Sequence, residues 1–151
     1  MNLLIKKGRH YATLLTHLKF FPFIAFNVKA IQATVKITKE MISYNPEPNC
    51  VDDSNKIFGI NKDLFSHHHK NSFRISWITT EDNLIKFVRY NYINGEKQSE
   101  ILKETYKEGD EVIITNTLPY KIFMGRKLFP YYGGDCFAPH DIKLKVKIKY
   151  L

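Results

Sequence analysis

Side chains in this chain are sorted in twos. In "KAIQATVKITKE", Ile31, Ala33, Val35 and Ile37 share one side while Gln32, Thr34, Lys36 and Thr38 share the other. In "NSFRISWIT", Phe73, Ile75 and Trp77 oppose Ser72, Arg74 and Ser76; in "DIKLKVKIKY", Ile142, Leu144, Val146 and Ile148 oppose four lysines. A period of two is that of a strand with one oily and one polar face, and it excludes a helical bundle. Eleven Phe, nine Tyr and many branched residues agree, because such side chains fit a pleated, half-buried surface. "NLIKFVRYNYINGEKQSEIL" adds a hairpin, with Asn94-Gly95 supplying the positive φ angles of a tight turn. "KIFGI" reads as an edge strand or a single turn, and "PYKIFMGRKLFPYY" as a strand pair around Gly125. Roughly seven or eight strands with short turns leave an all-β antiparallel architecture, either two packed sheets or a closed barrel.

The amino terminus departs from this pattern. Tyr11, Leu14, Leu15 and Leu18 fall on one helical face that Pro22 ends, so residues 1–28 are expected to form an arm on a single β domain of residues 29–151. The expected seat of that face is the domain's own core, with a partner as the alternative. The longest clean apolar run, Phe20 to Phe26, is too short to span a bilayer, and the start makes a poor secretion signal. "YNPEPNCVDDSN" reads as a loop, broken by Pro46 and Pro48. Cys50 and Cys136 cannot build a four-cysteine zinc site, and two unpaired thiols in a reducing compartment are expected of them. That reading favours a cytoplasmic or virion-associated protein over a secreted one.

The formal net charge of +8 raises the prospect of an anionic partner. Nearly all of it is lysine; Arg9, Arg74, Arg89 and Arg126 are the arginines. The stripe Lys143, Lys145, Lys147 and Lys149 could meet successive phosphates, but it could equally guard an edge strand against pairing with another chain. No aromatics interleave with it, which counts against stacking on single-stranded nucleic acid.

"HHHKNSFRISW", "YNYINGEK" and "LFPYYGGDCFAPHDIKLKV", with the "KKGRHYA" start, resemble a group of small β-rich proteins of Bacteroidetes and their tailed phages, crAss-like phages included. The "PYYGG" to "DIKLKV" ending is similar to the closing strand of concanavalin-like jelly rolls. The first resemblance implies an accessory protein of a particle; the second implies an all-β antiparallel sandwich of concanavalin-like or jelly-roll type, a fold shared by glucanases, alginate-type lyases and glycan-binding domains.

Catalysis finds little footing in the residues. Glycosidases of the jelly-roll class need two carboxylates across one bond, usually from a Glu-x-Asp-x-x-Glu strand, and no such spacing occurs. Lyase-type Gln-Ile-His and Tyr-Phe-Lys-Ala-Gly strands are missing as well. Cys136 and His140 lack a third group to orient them, and "GRKLFPYYGG" lacks the Gly-Lys-Ser/Thr end of a phosphate loop. His67 and His69, with His140 or Asp141, offer a metal alternative, set against an exposed loop before a strand. No cofactor is called for. Binding is the leading class: Tyr90, Tyr92, Tyr131 and Tyr132 as stacking platforms, Arg74, Asp135 and His140 as polar partners, with Asn91 and Asn94 for hydroxyls. Trp77, on the face of Phe73 and Ile75, is expected in the core. The expected protein is therefore a non-catalytic binding or structural module, its partner a glycan or a protein in an assembly. A degenerate polysaccharide lyase-like or glycosidase-like enzyme and a nucleic-acid-binding accessory protein are the alternatives. The head of the last stretch, "PYYGGDCFAPHD", reads as a structural corner.

Overall fold

A computed structural model describes residues 1–45, 50 and 54–151. The loop prolines Pro46 and Pro48 lie outside the described residues. Eight antiparallel strands dominate: β1 (Asn2–Ile5), β2 (Ile24–Lys36), β3 (Asn55–Asn61), β4 (Ser72–Thr79), β5 (Ile85–Ile93), β6 (Glu96–Ile101), β7 (Glu111–Leu128) and β8 (Ile142–Tyr150), with one short helix, α1 (Leu14–Leu18). They form a single curled sheet in the order β1-β8-β2-β7-β3-β4-β5-β6. The all-β antiparallel expectation holds. What would be the second layer is the same sheet turned back on itself.

The curl follows from β7. It pairs with β2 along nearly its whole length (Val35 opposite Val112, Ile24 opposite Arg126), and its last residues also pair with β3 on the other side (Gly59 opposite Leu128). Along it, Val112, Ile114, Leu118 and Ile122 are buried. They meet the oily face of β4 and β5, where Phe73, Ile75, Trp77 and Phe87 are fully enclosed. Polar groups latch the closure. Arg89 Nε donates to the Thr115 carbonyl at 2.8 Å, and Asn116 Nδ2 donates to the Arg74 carbonyl at 3.0 Å and to Asn91 Oδ1 at 2.8 Å. Trp77 is core as expected, and its indole N–H donates to the Met41 carbonyl at 3.1 Å.

The Asn94-Gly95 hairpin is present, with φ of 51° and 83° and Ile93 opposite Glu96. Other elements differ from their sequence reading. "KIFGI" lies in β3, an interior strand between β7 and β4 that is buried throughout. Gly125 is no turn: β7 runs through it, and a β-carbon there would stand 2.7 Å from the Asn61 carbonyl oxygen, so the glycine allows close strand approach. β8 pairs with β1 over Ile142–Lys145 and with β2 over Lys145–Tyr150, so β1 stops short of its second half. Lys147 and Lys149 therefore stand where β8 has, among the described residues, a strand on one side only, which fits a guard on an open edge.

The arm is also more integrated than expected. β1 pairs with β8, and β2 crosses the expected boundary at residue 28. α1 is only five residues long. Thr16 is its buried residue, accepting from the Leu4 N–H at 2.9 Å, while Thr13 caps the helix start. Leu14, Leu15 and Leu18 are 72%, 73% and 54% exposed, and Tyr11 is 67% exposed. The apolar face thus points to solvent and not to the core: a polar anchor seats the helix by its other side. No helix among the described residues is long and apolar enough to cross a membrane.

Cys50 and Cys136 are joined as a disulfide, their Cα atoms 5.9 Å apart across 86 positions of chain. This corrects the expectation of two free thiols. Sequence spacing could not show it, because the partners are brought together by β3 and the loop after β7. Replacing both cysteines with serine is expected to lower stability by about 4 kcal/mol, the loop-closure entropy returned to the unfolded chain. Denaturant unfolding of the variant against the oxidised protein measures it, and an unchanged midpoint would refute it.

Candidate functional site

Strand register gathers one set of side chains on the face opposite the core. Tyr90 stands opposite Arg74 and Tyr92 opposite Ser72; Arg74 stands opposite Gly59, and Asn61 opposite both Ser72 and Arg126. This face is not open to water. The segment after β7 and the segment around α1 cover it and leave a cleft of about 550 Å³, within the usual range of small-molecule sites. Its lining includes Lys56, His68, His69, Arg74, Tyr90, Tyr92, Arg126, Lys127, Tyr131 and Asp135.

Gly59 makes the floor possible. A β-carbon at this position would lie 2.4 Å from the Phe73 carbonyl oxygen and 2.6 Å from Arg74 Cγ. With hydrogen there instead, the Arg74 stem lies across β3 toward Arg126. Arg74 is 8% exposed, and no described carboxylate pairs with it. Burial, with the charge of Arg126 in a lesser role, pulls its guanidinium down to about 10, against the attraction of the Tyr90, Tyr131 and Tyr150 oxygens. Burial also pushes the Tyr150 phenol strongly upward, and its hydroxyl donates to the Gly59 carbonyl at 3.2 Å.

The cleft leaves polar atoms without partners. Arg74 Nη1, Arg126 Nε and His17 Nε2 are buried and make no hydrogen bond, and all three residues line the cavity. Native proteins pair nearly all such atoms, so the two arginine nitrogens call for an acceptor, and His17 Nε2 for the partner its tautomer requires. Arg126 is otherwise held by Nη2 donating to the Ser66 carbonyl at 3.2 Å. The walls are aromatic. Tyr90 and Tyr92 lie edge to face at 5.8 Å, His69 stacks on Tyr92 at 4.7 Å, Tyr11 meets Tyr131 at 5.1 Å, and His17 stacks on Phe129 at 4.4 Å. The Lys56 ammonium sits 4.4 Å from the centre of the Tyr90 ring.

The corner "PYYGGDCFAPHD" is a structural corner, as expected, and it also lines the cleft. Tyr131 exchanges backbone hydrogen bonds with Lys56 at 2.7 and 2.9 Å, the Tyr132 N–H donates to the His10 carbonyl at 2.8 Å, and the Gly133 N–H donates to Asn55 Oδ1 at 2.8 Å. Gly133 has a φ of 51°, which bends the chain back over β3. The Cys50–Cys136 bridge closes the same corner. Its Tyr131–Asp135 stretch thus forms a pinned wall of the cleft.

Of the residues singled out from sequence, Arg74, Tyr90, Tyr92, Tyr131 and Asp135 meet in this one cavity. Tyr132 does not: it is 4% exposed, on the far side of the corner, with its hydroxyl 3.3 Å from Ser43 Oγ. His140 does not either, since its ring is occupied at 2.9 Å with the Glu40 carbonyl. Asn91 is engaged by Asn116, and the Asn94 N–H donates to Asn71 Oδ1. His67, His68 and His69 do cluster, each offering a nitrogen within 4.8 Å of the others, but His140 is not among them. His67 Nδ1 accepts from the His69 N–H at 3.2 Å. Sequence reasoning missed Lys56, Arg126, Lys127, His17 and Phe129 as lining residues. Their one shared signal is a base or aromatic beside the glycine-bearing β3 and β7, which means nothing until β3 is known to lie between β4 and β7.

Comparison with known proteins yields no match: no family model, no curated protein and no solved structure is significantly similar to this chain.

Burial, the nearby charge of Arg74 and the other two imidazoles together hold His68 down to about 4 from 6.5. The fold therefore favours its neutral form. That contribution is present above the unfolded value of 6.5 and is lost as pH falls through 6.5 toward 4. Thermal melts should show the loss across this window, and His68→Gln should lessen it; an unchanged slope in the variant would assign the effect to other groups. Gly59→Ala is expected to destabilise by about 1–3 kcal/mol through overpacking against Phe73 and Arg74. A wild-type melting temperature in that variant would mean that β3 and β4 can separate at no cost.

Proposed function

We propose that this protein is a non-catalytic binding module whose cleft takes an anionic saccharide. The observation that carries the reading is the pair of cavity-lining guanidiniums, Arg74 and Arg126, with buried N–H groups that have no acceptor. An uncompensated buried charge costs several kcal/mol, and a sulfate or carboxylate supplies both the counter-charge and the missing acceptors. The ring-shaped part of the ligand follows from the walls: Tyr90, Tyr92 and Tyr131 offer faces for the apolar side of a pyranose. Among the described lining residues Asp135 is the one carboxylate. A paired-carboxylate hydrolytic mechanism would need two flanking the scissile bond, which supports binding over turnover. The disulfide fits an oxidising environment, where extracellular glycans are met.

Titration calorimetry with a heparin-derived tetrasaccharide, beside its desulfated, N-acetylated and carboxyl-reduced counterpart, tests the reading. The sulfated probe is expected to bind and the neutral one to bind at least tenfold more weakly. Arg74→Met keeps the buried stem but removes the charge. It is expected to weaken binding at least tenfold while leaving the melting temperature unchanged or raised, since it relieves an unpaired charge. Equal binding of both probes, or full affinity in Arg74→Met, overturns the proposal. Appearance of an unsaturated uronate on prolonged incubation would replace it with the lyase-like alternative.

A further inference from the structure

A second surface lies beside the cleft and is independent of it. Leu14, Leu15 and Leu18 stand out from α1, followed by Phe21 at 73% exposure and Phe23, whose rings meet at 5.6 Å. Phe23 packs on Phe129, and Phe26 stands directly opposite Met124 across the β2–β7 pair. Phe26 and Met124 are 62% and 46% exposed, and register puts them on the face of Arg126. The result is an apolar strip of a kind a soluble monomer seldom leaves bare.

The charge placed beside this strip is basic. Lys19 closes α1, and Arg126 stands opposite Ile24 across the β2–β7 pair. The Lys127 N–H donates to the Phe23 carbonyl and its ammonium to the Phe20 carbonyl, while the Lys121 ammonium sits over the Phe123 ring. The chain carries no carboxylate before Glu40 or from Val112 to Gly134. We propose that this strip docks the protein onto an anionic lipid bilayer, with the leucine and phenylalanine side chains entering the interface and the flanking lysines meeting headgroup phosphates. The pattern matches interfacial anchoring, in which apolar tips and a basic surround act together. A bilayer also suits the geometry. The leucines, Phe21, Phe23 and Phe26 do not line the cleft, and a fluid interface needs no complementary shape to receive single protruding side chains. Lysines beside the strip can keep their ammonium groups at headgroup level while their stems lie on apolar surface.

Cosedimentation of the whole chain with phosphatidylcholine vesicles, with and without phosphatidylglycerol, is the test. Anionic vesicles are expected to bind the protein at least tenfold more tightly than neutral ones. Leu14→Ser with Leu18→Ser should reduce binding at least tenfold. Phe26→Ser, on a different element, guards against a local effect on α1 and should act in the same direction. Lys19→Gln with Lys121→Gln should reduce binding roughly fivefold per residue at low salt, and raised salt should mimic it. All of these variants should keep the wild-type melting temperature and, where the saccharide reading holds, the tetrasaccharide affinity; Arg74→Met should keep vesicle binding, so the two sites fail separately. No binding to anionic vesicles, or wild-type binding by the leucine and Phe26 variants, overturns the inference. So does a dimer, seen by sedimentation velocity without lipid, that the same substitutions abolish: a second copy would then cover the strip.

Discussion

Arg74 is the constraint on which the rest of this molecule turns. A guanidinium cannot be neutralised at physiological pH, so its burial must be supported by geometry and counter-charge. Here the geometry is supplied by Gly59, whose missing side chain gives the arginine stem a path over β3. The backbone is fixed from the opposite side, where Asn116 of β7 donates to the Arg74 carbonyl. β4 is thus held on both faces: the curl of the sheet packs its oily side, and the corner after β7 roofs its polar side. Ser72, Arg74 and Ser76, which alternation assigns to a solvent face, are buried for this reason. The counter-charge is the part the described residues do not supply, and a ligand of opposite sign completes the arrangement.

The roof over Arg74 is tied at three points. The His10–Tyr131 and Tyr11–Tyr131 ring contacts join it to the amino-terminal segment. Backbone bonds to Lys56 join it to the start of β3. The disulfide joins it to Cys50. Each tie crosses a long stretch of sequence, so each removes much conformational freedom from a segment with little regular structure of its own. A cleft wall held in this way keeps Tyr131 in place before any ligand arrives, which reduces the ordering cost of binding.

What the sequence disclosed was local, and what it hid was long-range. The strands of Ile31–Ile37, Phe73–Trp77 and Ile142–Ile148 were legible because a period of two depends only on neighbours. The Asn94-Gly95 turn was legible because its backbone demands those two residues. The helical face of Leu14, Leu15 and Leu18 was legible as a pattern but its direction was not: a single buried Thr16, bonded to Leu4, decides which side faces inward. β3 was misread because a short, fully buried strand has no alternation to show. The site was half visible. Arg74, Tyr90 and Tyr92 lie on adjacent strands of one hairpin-linked stretch and could be grouped. Arg126 and Lys56 join them only through the strand order, which no spacing reveals.

Charge also decides what the cleft is for. Three imidazoles in succession invite a metal reading, and their nitrogens are close enough for one ion. Yet His68 and His69 share the cavity with Arg74, Arg126 and Lys56. Burial first, and the charge of Arg74 after it, hold His68 neutral; the fixed positive charge also acts against any cation brought to the same place, and a divalent ion feels it twice over. An anion feels the opposite. It is drawn by the fixed guanidiniums, and its arrival raises the proton affinity of the neighbouring imidazoles, which then add charge-assisted donors of their own. On the proposed anionic-ligand reading, the histidines form a proton reserve beside the cleft, and binding there should strengthen as acid is added for as long as the ligand keeps its charge.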